Sequence, residues 1–259
     1  MSAATVRALS IAPVKGTRLQ TVERVVLDPA GARGDRRFYV IDGRDRMVNA
    51  KQLGELTALV AGFSEAQAEL RITFPDDRVV AGEIRLRETV NTRFYSDSAV
   101  AQLVDGPWSG ALSDYAGQPL RLVQAVGGGA VDRGAAAGVT LISTASLERL
   151  AEVGGRDPID PRRFRMLIEI DGIDAHAEDR WVGRRAQVGE VAIEFHGHVG
   201  RCLITSRDPD TGRIDVPTLD ILGRYRAGLD TTEPLPFGIY GAVVEPGVVH
   251  VGDAVLPEG

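Results

Sequence analysis

The chain has 259 residues, 44% of them hydrophobic and 25% charged, with one cysteine and a formal net charge of -6. That is ordinary globular composition with ample material for a core, and the acidic balance gives no electrostatic support for a nucleic-acid partner. No apolar stretch approaches the roughly 20 residues of a membrane helix, Met1 to Arg7 lacks a leader pattern, and a lone cysteine suits a reducing compartment, so a cytoplasmic, soluble protein is expected.

The first half reads as strands. Thr5 to Ile11 alternates, Ala12-Pro13-Val14-Lys15-Gly16 breaks into a loop, and Leu19 to Leu27 alternates again. Arg37 to Ile41 and Met47 to Ala50 flank a hairpin turn at Asp42-Gly43-Arg44-Asp45. Leu56 to Phe63 and Leu70 to Phe74 follow as strands. Ser98 to Tyr115 carries apolar residues at helical spacing, interrupted by Gly106-Pro107, and is expected to be a helix.

Leu120 to Val126 is a strand, followed by a connector through Gly127-Gly128-Gly129 to Gly138. Val139 to Ile142 leads into a helix from about Ser143 to Val153, with Ser143 or Thr144 as its N-cap. Phe164 to Ile170 is an apolar run with Arg165 inside it. Ala186 to Phe195 and Arg201 to Ser206 are further strands, Leu219 to Arg226 a short helix, and Val243-Val244 with Val248 to Val251 a hairpin. The expected class is β-dominated α+β: a barrel-like N-terminal domain at 1–125 and a second β-barrel domain with a few helices at 126–259.

The chemistry concentrates around Cys202. A single thiol forms no internal disulfide and is core filler, a nucleophile or a soft metal ligand. Arg201 precedes it and Asp208-Pro209-Asp210-Thr211-Gly212 closes the segment as a tight turn. His196 and His198 alternate on one strand and with Cys202 mimic an incomplete zinc site; solvated strand-face histidines are the simpler reading. His176 and His250 read as surface residues. Arg165 within an apolar strand needs a partner, either an internal carboxylate or a bound phosphate. Of the 30 basic residues only Lys15 and Lys51 are lysine. Codon bias explains that total but not the positions, and arginine forks grip phosphate at two points.

Several stretches together carry a resemblance. They are Ala12-Pro13-Val14-Lys15-Gly16, Gly34-Asp35-Arg36-Arg37-Phe38-Tyr39-Val40-Ile41, Val48-Asn49-Ala50-Lys51-Gln52, Arg163-Phe164-Arg165, Asp174 to Trp181, Gly200-Arg201-Cys202 with the Asp208 to Gly212 turn, and Phe237-Gly238-Ile239-Tyr240. The second half resembles a MOSC domain, the module shared by molybdenum-cofactor sulfurase C-termini and the mitochondrial amidoxime-reducing component. The first half resembles the β-barrel domain that precedes it in the latter group.

The resemblance implies that Cys202 ligates molybdenum in a molybdopterin (pterin dithiolene) cofactor, a soft thiolate beside two other sulfurs. It implies that Lys15, Gly16, Arg36 and Arg165 contact the cofactor's phosphate and pterin, with Arg201 beside the metal. Ser143 joins them as the start of a helix, a natural anion site. Arg165-Met166-Leu167 stands where the family often has Arg-Pro-Asn, and Leu167 lacks the hydrogen bonds of that asparagine.

The implied activity is molybdenum-dependent reduction of N-hydroxylated small molecules, with electrons from an external electron-transfer protein. No ferredoxin-like tail or pyridoxal-phosphate domain is expected. The rival reading is a carrier of molybdenum cofactor, or of sulfur on Cys202, without its own turnover. A third is a thiol nucleophile paired with His196 or His198.

Overall fold

The computed structural model describes residues 4–94, 97–126, 137–156 and 158–258 of the protein. The expected glycine-rich connector at 127–136 lies outside the described residues.

Seven strands close into a barrel. In order around it they are Ile168–Asp171, Val139–Ser143, Pro236–Glu245, Val191–Gly200, Arg185–Val188, Ala254–Pro257 and Ala4–Ile11, which pairs back onto Ile168–Asp171. Closure leaves no exposed sheet edge along the ring. Leu9, Leu141, Ile168, Ile193, Phe195 and Val255 fill its interior. The first strand therefore crosses the sequence boundary near residue 125. So does Arg24–Asp28, which pairs with Gly247–His250.

Val139–Ser143 and Ile168–Asp171 run parallel. Parallel neighbours need a long crossover, and helix α1 (Trp108–Ala116) belongs elsewhere, so it is supplied by α2 (Thr144–Gly154). Helix α2 packs with α3 (Thr218–Tyr225) through Leu147, Leu150, Ile221 and Leu222, beside the barrel.

The remaining sheets build the other module. A five-stranded sheet orders Arg85–Phe94, Asp97–Asp105, Leu120–Ala125, Phe38–Asp42 and Met47–Val48. With the meander Val60–Ser64, Glu69–Thr73, Val79–Glu83 it encloses Phe38, Leu56, Ile72, Trp108 and Leu112.

Several expected elements are corrected. Residues 98–115 are not one helix: Asp97–Asp105 is a strand, and only Trp108–Ala116 is helical. Small residues with both spacings fit either period, and pairing of Ala101 with Ala125 decides for strand. Gly106 (φ 145°) and Pro107 make the break. Leu56 to Phe63 begins as a 3-10 turn, Gly54–Ala58.

Arg165 is not inside a strand. A 3-10 turn, Pro161–Phe164, is capped by Asp160, whose carboxylate accepts from the Arg162 amide at 2.9 Å, and the strand starts only at Ile168. Residues 203–206 likewise form a 3-10 turn rather than a strand. The expected terminal hairpin does not form, because Gly247–His250 takes Arg24–Asp28 as its partner.

Candidate functional site

Cys202 lies just past the end of the barrel strand Val191–Gly200, in extended conformation (φ -132°, ψ 178°), and its thiol is exposed. It faces a cleft of about 560 Å³, within the range of small-molecule sites. Lys15, Gly16, Arg36, Arg165 and Arg201 line the same cleft, so residues far apart in sequence converge on the thiol.

The basic wall is built from strained backbone. Arg36 and Arg165 both hold positive φ, 48° and 54°, which costs a side chain with a Cβ about 1 kcal/mol. Such strain persists where surrounding contacts over-determine it. Here the Arg36 amide donates to the Ala12 carbonyl at 2.8 Å, and its Nη2 donates to the Arg165 carbonyl at 2.8 Å. Arg165 in turn donates from Nη2 to the Thr17 carbonyl at 2.8 Å. Buried Asp35 pairs with Arg36 Nη1 and accepts the Ala12 amide at 2.8 Å, so this carboxylate is committed to the wall. Gly16 has φ 93° and passes the Ala50 amide so closely that a Cβ would sit 3.3 Å from it. Lys15, Asn49 and Lys51 line the cleft together.

Arg201 acts as a strut. Its Nε donates to the Phe237 carbonyl and Nη1 to the Phe164 carbonyl, each at 2.8 Å, and the guanidinium lies 5.4 Å from the Phe164 ring centre. It thereby ties the thiol segment to the turn that carries Arg165. Leu167 lines the cleft, and its main chain is held by Thr140 Oγ1 and the Ser10 amide at 2.9 Å each.

Ser143 is not in the cleft. It is fully buried at the N-terminus of α2, where its Oγ accepts the Ser146 amide at 3.1 Å. Its Oγ also donates to Glu178 Oε2 at 2.9 Å and its amide to Oε1 at 3.2 Å. The anion at this helix start is therefore an internal carboxylate. Burial pushes the Glu178 carboxyl up, against the pull of hydrogen bonds from Ser146 and Ser143.

The histidines separate. A register shift between Phe195 and Gly197 leaves His196 exposed and His198 buried, with Nε2 3.8 Å from Asp179 Oδ1. Among the described residues no three of His, Cys, Asp and Glu gather as metal ligands, so the zinc alternative is not assembled. His176 is half-buried rather than on the surface; burial, and then Arg226, bring its pKa down to about 4.

Asn49, Thr140, Glu233 and Tyr240 also line the cleft. Asn49 and Tyr240 sit within stretches that carried the resemblance but had no role assigned. Glu233 comes from a loop without any local signal.

A family model described as the MOSC domain matches residues 128–256, and one described as the MOSC N-terminal beta barrel domain matches residues 3–106. Mitochondrial amidoxime-reducing component 1 of Mus musculus is 38% identical over 122 residues, 44% of this chain and 35% of that protein. Mitochondrial amidoxime reducing component 2 of Homo sapiens is 40% identical over 100 residues, 36% of this chain and 29% of that protein. The matched stretch thus spans about a third of the length of these curated relatives. The crystal structure of the YUAD protein from Bacillus subtilis overlays with a TM-score of 0.46 at 12% identity, covering 99% of this chain and 96% of that one.

Proposed function

The chain belongs to the MOSC domain family and carries that family's N-terminal β-barrel domain, and on that premise we propose a function for the cleft. The protein is a molybdenum-cofactor-dependent oxidoreductase that reduces N-hydroxylated small molecules, with Cys202 as its ligand to molybdenum. The family brings an association with molybdenum cofactor, and the relatives' names specify reduction of amidoximes, an N–O chemistry. The reading includes a cytoplasmic setting and an external electron-transfer protein as the source of electrons.

One observation carries it: the sole thiol is exposed into a cleft whose wall holds Lys15, Arg36 and Arg165. The donor set fits the cofactor. A single soft thiolate is incomplete as a protein-only metal site but suits a metal that arrives with its own sulfur ligands. The wall's guanidinium and ammonium groups suit a phosphate, with Asp35 already neutralised by Arg36.

When bound, such a cofactor supplies two-electron chemistry that removes oxygen from an N–O bond. The chain's own residues hold and orient. Lys15 and Arg165 offset the phosphate charge, Arg36, paired with Asp35, braces Arg165, and Arg201, fixed to the Phe164 and Phe237 carbonyls, keeps Cys202 against the cleft. For a hydroxylamine the net reaction takes two electrons and two protons and gives an amine and water.

The test is reduction of benzamidoxime or a hydroxylamine by protein expressed with molybdate and reduced chemically. Amidine or amine formation, abolished by Cys202→Ala, is the expected result. Cofactor present without turnover would favour the carrier instead.

A further inference from the structure

Besides the strand residues Thr140, Gly200 and Tyr240 and the loops that carry Lys15 and Arg36, three irregular segments line the cleft: Asn49 and Lys51, the turn ending at Arg165, and Cys202 with Thr205. None of these three lies within a strand, so no sheet ladder fixes their spacing. The turn that follows Cys202 touches all of them.

Asp208 folds that turn, its Oδ1 accepting from the Thr211 amide and Oγ1 at 2.7 Å each and from the Asp210 amide at 3.2 Å. The fold presents Asp210 to two arginines far apart in sequence, Arg18 and Arg162. Arg162 donates to it from Nη1 and Nη2 at 3.0 and 2.8 Å, a two-point grip. Arg18 Nε lies 3.3 Å from Asp210 Oδ1, and its Nη2 donates to the Asp210 carbonyl at 3.3 Å.

Both arginines belong to cleft-bearing stretches. Arg162 opens the turn that ends at Arg165, and Arg165 donates to the carbonyl of Thr17, next to Arg18. The same turn reaches the third segment. Arg207 donates to the Gly212 carbonyl at 2.6 Å and to the Lys51 carbonyl at 3.1 Å. Gly212 (φ 72°) lies so close to Gly54 that a Cβ there would strike the Gly54 carbonyl.

We propose that Asp210 is a positioning residue for the cleft: by bridging Arg18 and Arg162 it holds the Cys202, Arg165 and Lys51 segments at one spacing. Each ion pair is part-exposed and worth little alone. What matters is that one carboxylate joins two cations, so neutralising it breaks the bridge: Arg162 stays gripped by Asp160, to which it donates at 2.6 Å, and Arg18 loses its ion pair to the turn. The inference rests on the cleft being the working site and not on what the cleft holds.

Amide hydrogen exchange on the full chain decides it. Three amides report the three segments: Leu53 bonded to the Asn49 carbonyl, Arg165 to Arg162, and Thr205 to Cys202. In Asp210→Asn all three exchange faster by a common factor of about ten, while Leu122 in the five-stranded sheet is unchanged. Asp210→Glu, which keeps the charge, brings the three rates back toward wild type.

A merely local role would speed only the amides of 208–212 and leave Leu53 untouched, and that result overturns the proposal. Should Asp210→Asn fail to fold, Arg18→Gln removes one arm, and a smaller shared acceleration of the same amides is expected; an unchanged Leu53 again overturns it. No molybdenum enters the measurement, so its outcome is independent of the proposed activity.

Discussion

Arg36 donates from Nη2 to the main-chain carbonyl of Arg165 at 2.8 Å, and both residues hold φ in the left-handed region. Two arginines from different halves of the sequence thus brace each other, each in a conformation that glycine would adopt more easily. Each guanidinium makes a bond that glycine could not, Arg36 to the Arg165 carbonyl and Arg165 to the Thr17 carbonyl.

This separates two contributions experimentally. Arg165→Ala keeps the backbone strain and loses the guanidinium, whereas Arg165→Gly loses both. Urea unfolding should find Arg165→Gly more stable than Arg165→Ala by about 1 kcal/mol. Both variants should lose cofactor retention alike.

Ser143 gives the converse case. Ser143→Ala removes the N-cap and one hydrogen bond to buried Glu178, at a cost of about 1–2 kcal/mol. Because Ser143 faces α2 and not the cleft, molybdenum content per folded chain should match wild type. A loss of stability without a loss of metal is the expected pattern.

His176 sets a pH dependence. Burial lowers its pKa from the ordinary 6.5 to about 4 in the folded chain. Between those values the unfolded chain binds the extra proton and the folded chain does not. Stability therefore rises with pH across the window and is lost as pH falls from 6.5 toward 4. The ring packs against Tyr225 and Phe237, at 5.7 and 5.9 Å between centres, so His176→Phe should keep the packing and flatten that slope. Urea midpoints at pH 4.5, 5.5 and 7 would read it.

Local pattern revealed most of the strands and the α2 cap, because each depends on neighbours within a few residues. It misled where two periods overlapped, as at Asp97–Asp105, where a long-range partner decided the matter. The pairing of Ala4–Ile11 with Ile168–Asp171 and Ala254–Pro257 lay beyond any local signal. So did the use of the α2 N-terminus by Glu178, a carboxylate 35 residues along the chain. An empty helix start and one already filled from within look alike in sequence.

The most direct measurement is molybdenum and pterin content of protein expressed with molybdate, wild type against Cys202→Ala. The exposed thiol contributes nothing to the core, so the variant should fold and melt as wild type does. Wild type is expected to carry molybdenum with pterin, and the variant to lose the metal. Equal molybdenum in both proteins would contradict the assignment of Cys202 as its ligand.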